Sequence, residues 1–255
     1  MNLMLLLALA CKAPEPAPTD LDQLVGFLFE HIPDEDPAPL AEGVHNLEPW
    51  LVDRIDETLE GYTVQDLSEE TILSLGDGEV DNTELSGSAV GFASVNDVQG
   101  WVDALVLADQ VEIYGGSYVS YEREWEGDEE AFAGRDKLTI EADVRALSDY
   151  TLIKIESHSG NRWTWVDTEW GPAMVYRAWL EEPCTITPEN IVKVDRQYYL
   201  NVIMPTRDGM RTMQATWVVG KVVGASTDTN FALQMMIQSM AKNAGKIDAW
   251  VTENQ

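Results

Sequence analysis

The stretch that decides the fold closes the chain: Gln214-Ala215-Thr216-Trp217-Val218-Val219-Gly220-Lys221-Val222-Val223, a short break, then Thr229-Asn230-Phe231-Ala232-Leu233-Gln234-Met235-Met236-Ile237 running on to Trp250. The first part is rich in β-branched and aromatic residues and belongs to a strand over Arg211 to Val223. The second contains no proline from Thr227 to Trp250. Its apolar residues Leu233, Met236, Ile237, Met240, Ala244, Ile247 and Val251 recur at threes and fours, the stripe of an amphipathic helix. Thr227 or Asp228 can cap it, and Lys242 and Lys246 suit the negative end of its dipole. A strand therefore hands over to one long terminal helix.

Upstream, the apolar period is two. Leu138, Ile140, Ala142 and Val144 alternate with Thr139, Glu141, Asp143 and Arg145, which predicts a half-buried strand. Similar segments are Leu85 to Ser94, Ser117 to Trp125, Tyr150 to His158, Arg162 to Thr168, Ala173 to Glu181 and Lys193 to Pro205. Ser159-Gly160-Asn161, Gly171-Pro172 and Arg207-Asp208-Gly209 mark turns between them. Turns this short predict antiparallel neighbours. One helix interrupts the strands, with Asn96 as cap and Val98, Trp101, Val102 and Leu105 at helical spacing. Two amphipathic helices precede the strands. The first spans Asp20 to His31, capped by Asp20, and the second runs from Asn46, with Pro49 in its first turn, to Gly61.

The order of strand, short helix, long antiparallel run and terminal helix resembles the START-like (SRPBCC, helix-grip) superfamily. The residues carrying the resemblance are Ala89-Val90-Gly91-Phe92-Ala93-Ser94 leading into the Asn96 to Leu105 helix, and the terminal pair quoted above. It implies an α+β fold in which a curved antiparallel sheet of about seven strands grips the C-terminal helix, with the N-terminal helices as an extension. It also implies a ligand cavity between sheet and helix. The candidate lining residues are Trp163, Trp165 and Trp179 from the strands, with Trp163 and Trp165 stacked side by side, and Leu233, Met236 and Met240 from the helix. Methionine suits such a wall because it is flexible and polarizable.

The chain opens Met1-Asn2-Leu3-Met4-Leu5-Leu6-Leu7-Ala8-Leu9-Ala10-Cys11. An apolar run of this length is too short to span a bilayer and fits the core of a secretion signal. Its junction with Cys11 resembles the lipobox of bacterial lipoproteins. The resemblance implies removal of residues 1–10, lipidation of Cys11 and a membrane anchor in the bacterial envelope. Lys12 after the cysteine points to the outer membrane, facing the periplasm or the cell surface. Two departures stand out: Ala8 occupies a position where Leu is preferred, and Met1 and Asn2 bring no positive charge. Residues 11–20, with Pro14, Pro16 and Pro18, read as an extended tether. Residues 21–80 read as a helical extension and 85–252 as the helix-grip domain.

Against 16 basic residues stand 45 acidic ones, a net charge of −29. Such a surface repels nucleic acid and anionic headgroups. A salty habitat would screen the charge. His31, His45 and His158 have no metal-ligand spacing, and with Cys11 lipidated Cys184 stands alone as a small hydrophobe. The loop Gly76-Asp77-Gly78-Glu79-Val80-Asp81-Asn82 lacks the glycine and glutamate of an EF-hand. No phosphate loop or nucleophile elbow occurs, and no cofactor is expected. The expected function is binding or carriage of an apolar, lipid-like ligand without catalysis. Two alternatives stand beside it: an assembly lipoprotein acting as an interaction module for an unknown protein, and an enzyme using a buried carboxylate such as Glu156 or Asp167.

Overall fold

The computed structural model describes residues 16–76, 85–150, 153–189, 192–222 and 229–255. Cys11 with its signal-like segment, and residues 77–82 of the acidic loop, lie outside them. Helices α1 (Leu21–His31) and α2 (Ala38–Val52) come first, followed by a 3-10 turn at Ile55–Thr58 and the short strand β1 (Tyr62–Val64). Then come α3 (Glu69–Ser74), β2 (Ser86–Ser94), α4 (Val98–Val106), α5 (Gln110–Tyr114), β3 (Tyr118–Glu126) and α6 (Glu129–Ala133). Strands β4 (Thr139–Asp149), β5 (Lys154–Thr168), β6 (Gly171–Leu180), β7 (Thr185–Thr187), β8 (Val192–Thr206) and β9 (Gly209–Val222) follow, and α7 (Thr229–Asn254) closes the chain.

All pairings are antiparallel, in the order β1-β2-β9-β8-β6-β5-β4-β3, with β7 on one end of β5. Seven long strands thus form a curved sheet, and the short β1 and β7 extend it. Its inner face holds α7, which packs on β2 and β9 and touches α4 and α5. Its outer face holds α1 and α2. This is the helix-grip layout expected from the terminal strand–helix pair.

The N-terminal extension packs behind the sheet. Leu21, Leu24, Val25, Leu28 and Phe29 of α1 are fully buried, together with Leu47 and Leu51 of α2, against Tyr198, Leu200, Val202, Ala215 and Trp217. Each such side chain contributes about 1.5–3 kcal/mol on burial. On the inner side, Trp101, Val102, Trp163, Trp165 and Ile203 form a second cluster with Ala244, Ile247 and Val251 of α7. A third gathers Val90, Leu180, Ile186 and Val218 around Leu233, Ile237 and Met240.

Several local expectations are corrected. The second helix starts at Ala38, not Asn46, so Pro49 lies inside it and Pro39 takes the early position. The helix expected to run on to Gly61 ends at Val52, a 3-10 turn follows at Ile55–Thr58, and Leu59 is half exposed. Asp20 accepts through its backbone carbonyl and makes no side-chain cap. Asp97, not Asn96, caps α4, its carboxylate accepting from the Gly100 N–H at 2.7 Å. Ser159-Gly160-Asn161 is no turn: β5 runs unbroken through it, with Gly160 paired to Asp143 and Trp179. Glycine is needed there because the Trp179 ring covers its α-carbon, and a Cβ would collide with the indole.

Candidate functional site

Strand parity decides which side chains face α7. Register carries one row across the inner face from Trp125 through Ala142, Asn161, Ala178, Tyr199 and Thr216 to Ser88. The next row runs Ile140, Trp163, Tyr176, Asn201, Gln214, Val90. The first row is built largely from small or polar side chains. The polar ones are buried, so they need partners. Thr212 donates to the Asn201 side-chain oxygen, and Thr216 Oγ1 donates to the Tyr198 carbonyl at 3.2 Å. Hydrogen bonds link the Tyr176 phenol to Tyr199 and Asn201.

Aromatic rings form two chains on this face. Tyr114, Tyr118 and Tyr121 meet edge to face at 5.4 and 5.5 Å. A bulge between Tyr118 and Ser120 turns both β3 tyrosines inward. Trp125 meets Trp163 at 5.9 Å, Trp163 stacks on Tyr176 at 4.2 Å, and Tyr176 meets Tyr199 at 5.5 Å. Arg123 joins the two chains, its guanidinium 5.1 Å from the Tyr121 ring, 4.8 Å from Trp125 and 5.6 Å from Trp163. Its Nη2 donates to the Leu105 carbonyl at 2.9 Å and to the Tyr121 hydroxyl at 2.7 Å. Its Nε and Nη1, and the Trp163 indole N–H, are buried without hydrogen-bond partners.

Burial pushes the phenols of Tyr114, Tyr118, Tyr176 and Tyr199 up from their ordinary range, Tyr176 to about 12. The four are therefore neutral donors and acceptors at neutral pH. Each nonetheless keeps part of its surface accessible.

α7 closes the site and is locked at its far end. Asp248 accepts from Ser94, from Asn96 Nδ2 at 2.8 Å and from the Trp101 indole at 3.4 Å. Lys246 donates to the Tyr114 carbonyl and to Ser117 Oγ at 3.0 Å. Asn96 is thus a clasp between α7 and α4, which explains why it is not the cap.

The predicted residues divide. Trp163 lies on the inner face among the aromatics and stacks on Tyr176 rather than beside Trp165. Trp165 shares that face but is covered by α6, its indole donating to the Phe132 carbonyl at 3.0 Å. Leu233 and Met240 are buried against Val90 and Leu180, and Met236 is half-buried with its sulfur 3.9 Å from Thr216 Oγ1. Trp179 is a correction: it points to the outer face, against the α1 cluster and 5.3 Å from Arg177, and donates to Glu181 at 2.8 Å. One position out of phase on β6, it cannot line a space that α7 closes. Glu156 and Asp167 are exposed, so the buried carboxylates of the enzyme alternative are absent at these positions. Burial pushes the Cys184 thiol up to about 11, which suits a small apolar residue rather than a nucleophile.

Arg123 and the tyrosines Tyr114, Tyr118, Tyr121 and Tyr199 were missed, while Tyr176 belongs to the aromatic run Trp163, Trp165, Trp170, Tyr176 and Trp179 that the sequence offers as a cavity lining. The signal was present in Tyr121-Glu122-Arg123-Glu124-Trp125, where alternation sets the arginine on the aromatic side and the glutamates on the other.

Among the described residues, no group of three or more His, Cys, Asp or Glu side chains could hold a metal ion, and no helix is long and apolar enough to cross a membrane. Two clefts of about 340 Å³ each lie on the α2 side, one around Asn46, Trp50 and Arg54, the other around Ala41, Glu48, Asp167 and Met204.

No protein family and no curated protein matches the sequence. Among solved structures, the chain is similar to a STAR-related lipid transfer protein fragment from Xanthomonas axonopodis, at 12% identity over 76% of this chain and 99% of that one, with a TM-score of 0.46. It is also similar to the lipid transfer and protein localization domain of human StarD13, at 12% identity over 81% of this chain and 94% of the other, with a TM-score of 0.39. Both likenesses are of layout.

Proposed function

We propose that the chain binds an apolar ligand between the inner face of the sheet and α7, without catalysis, while a lipid on Cys11 holds it at the outer face of an envelope membrane. One observation carries the binding site. Tyr114, Tyr118, Tyr176 and Tyr199 sit deep enough for desolvation to raise their phenols, yet all four keep accessible surface. Groups that are both deep and accessible suit the wall of an internal space. The small side chains of Ala142 and Ala178 on that face would leave room for such a ligand, and the rings would supply an apolar wall.

Native mass spectrometry of the purified protein should reveal a retained lipid, and added lipid should raise the melting temperature with concentration while quenching tryptophan fluorescence. A protein that retains nothing, and whose melting temperature ignores added lipid, would return the balance to a filled interaction module. The anchor rests on Leu3 to Cys11. Cys11→Ala should abolish incorporation of a fatty-acid label and release the protein from membranes. Equal labelling of both forms would remove the anchor from the proposal.

A further inference from the structure

Among the described residues, Arg123 is the basic side chain that the sheet turns toward α7. Arg145, Arg162, Arg177 and Arg211 occupy the opposite parity on their strands. A guanidinium remains charged in any protein environment. The ion pairs of the described residues engage Arg54, Arg145 and Arg162 but not Arg123. In a chain of net charge −29 this is a notable omission, since carboxylates are plentiful and, among the described residues, no ion pair engages this cation. Stacking on Tyr121, Trp125 and Trp163 offsets part of the burial cost but leaves the N–H groups of Nε and Nη1 without acceptors. Each buried, unsatisfied donor costs about 1–3 kcal/mol, and more when charged.

The surroundings specify what would satisfy them. Beyond the guanidinium the rings of Trp163, Tyr176 and Tyr199 lead across the sheet toward Thr216 and Met236. From β3 to β9 there are five strand spacings, about 24 Å along the sheet. That reach suits a long chain rather than a compact ring. Among the described residues, a single positive charge with no second free cation beside it matches a monoanion, because Lys246 is already engaged by Tyr114 and Ser117.

We propose that the ligand is a long-chain carboxylate, its head group accepting hydrogen bonds from Arg123 Nε and Nη1 and its chain lying over Tyr176 and Tyr199 toward Met236. The proposal rests on the apolar-ligand reading above and adds the chemistry of the head group. Binding of palmitate, hexadecanol, hexadecyl phosphate and acetate to the full chain, by calorimetry, tests it.

Palmitate should bind about tenfold or more tighter than hexadecanol, and acetate should not compete. Arg123→Met should bind the two long-chain ligands equally, and Arg123→Lys should recover part of the preference. Equal affinity of the wild type for palmitate and hexadecanol would overturn the head-group assignment while leaving the apolar site in place. So would a folded Arg123→Met that keeps the preference. Tighter binding of hexadecyl phosphate would overturn the carboxylate, and competition by acetate would make the site one for free anions. Binding of neither long-chain ligand would remove both proposals together. Should Arg123→Met fail to fold, the wild-type preference and the Lys variant decide.

Discussion

A phenol that must ionise inside a ring cluster does so late, and this protein offers four of its eight tyrosines as reporters. Burial is the leading cause of the upward shift at Tyr114, Tyr118, Tyr176 and Tyr199, and at Tyr114 and Tyr118 neighbouring tyrosines add to it. Their folded values exceed the unfolded value of about 10. The neutral phenols therefore contribute stability in full below about pH 10, and that contribution is lost as pH rises through the folded values. An alkaline absorbance titration should show these four ionising late, together with loss of the fold. These four titrating near pH 10 in the native protein would contradict the cluster. Gly160 gives a second reporter on the other face. A methyl group there meets the Trp179 indole, so Gly160→Ala should cost about 1–3 kcal/mol in urea unfolding. A neutral substitution would mean that the indole moves aside freely.

Elements with long, regular patterns were legible in the sequence. The stripe from Leu233 to Val251 predicted a helix, and α7 spans Thr229–Asn254 with Leu233, Ile237, Met240, Ala244, Ile247 and Val251 buried. Met240→Asp should therefore destabilise the protein by about 3 kcal/mol or more, since it sets a charge among Leu233, Leu180 and Val218. Gln238→Asp, on the exposed side, should change stability by less than about 0.5 kcal/mol. Equal melting shifts for the two would mean that the stripe is misplaced. Illegible elements failed for physical reasons. Gly160 signals a turn locally, but a tertiary contact requires it in mid-strand. Pro49 signals a helix start, yet α2 already has Pro39 near its beginning and tolerates Pro49 close to its end. α3, α5 and α6 are five or six residues long, too short to show a period. Trp179 was misassigned because hydrophobicity alone names an aromatic, whereas the face depends on register, and register depends on where the strand begins.

At the scale of the molecule, the charge places the fold under a load that its ion pairs do not relieve. With 45 acidic and 16 basic side chains, at least 29 carboxylates have no basic counterpart. The ion pairs among the described residues lie largely at the surface, where such pairs contribute about 1 kcal/mol or less. Cohesion must then come from the three apolar clusters, and repulsion between like charges works against the compact state. Screening should relieve it. Raising the ionic strength from about 0.01 to 0.15 M shortens the Debye length from roughly 30 to 8 Å. Urea carries no charge, so it can unfold the protein at fixed ionic strength. At pH 7 the urea midpoint should rise with NaCl over this range, equivalent to about 1 kcal/mol or more. The rise should shrink as pH falls toward the sequence pI of 4.1, where carboxylates neutralise and little repulsion remains to be screened. A midpoint that is flat or falling with salt at pH 7 would mean that the carboxylates are held by bound cations or specific contacts rather than by water alone.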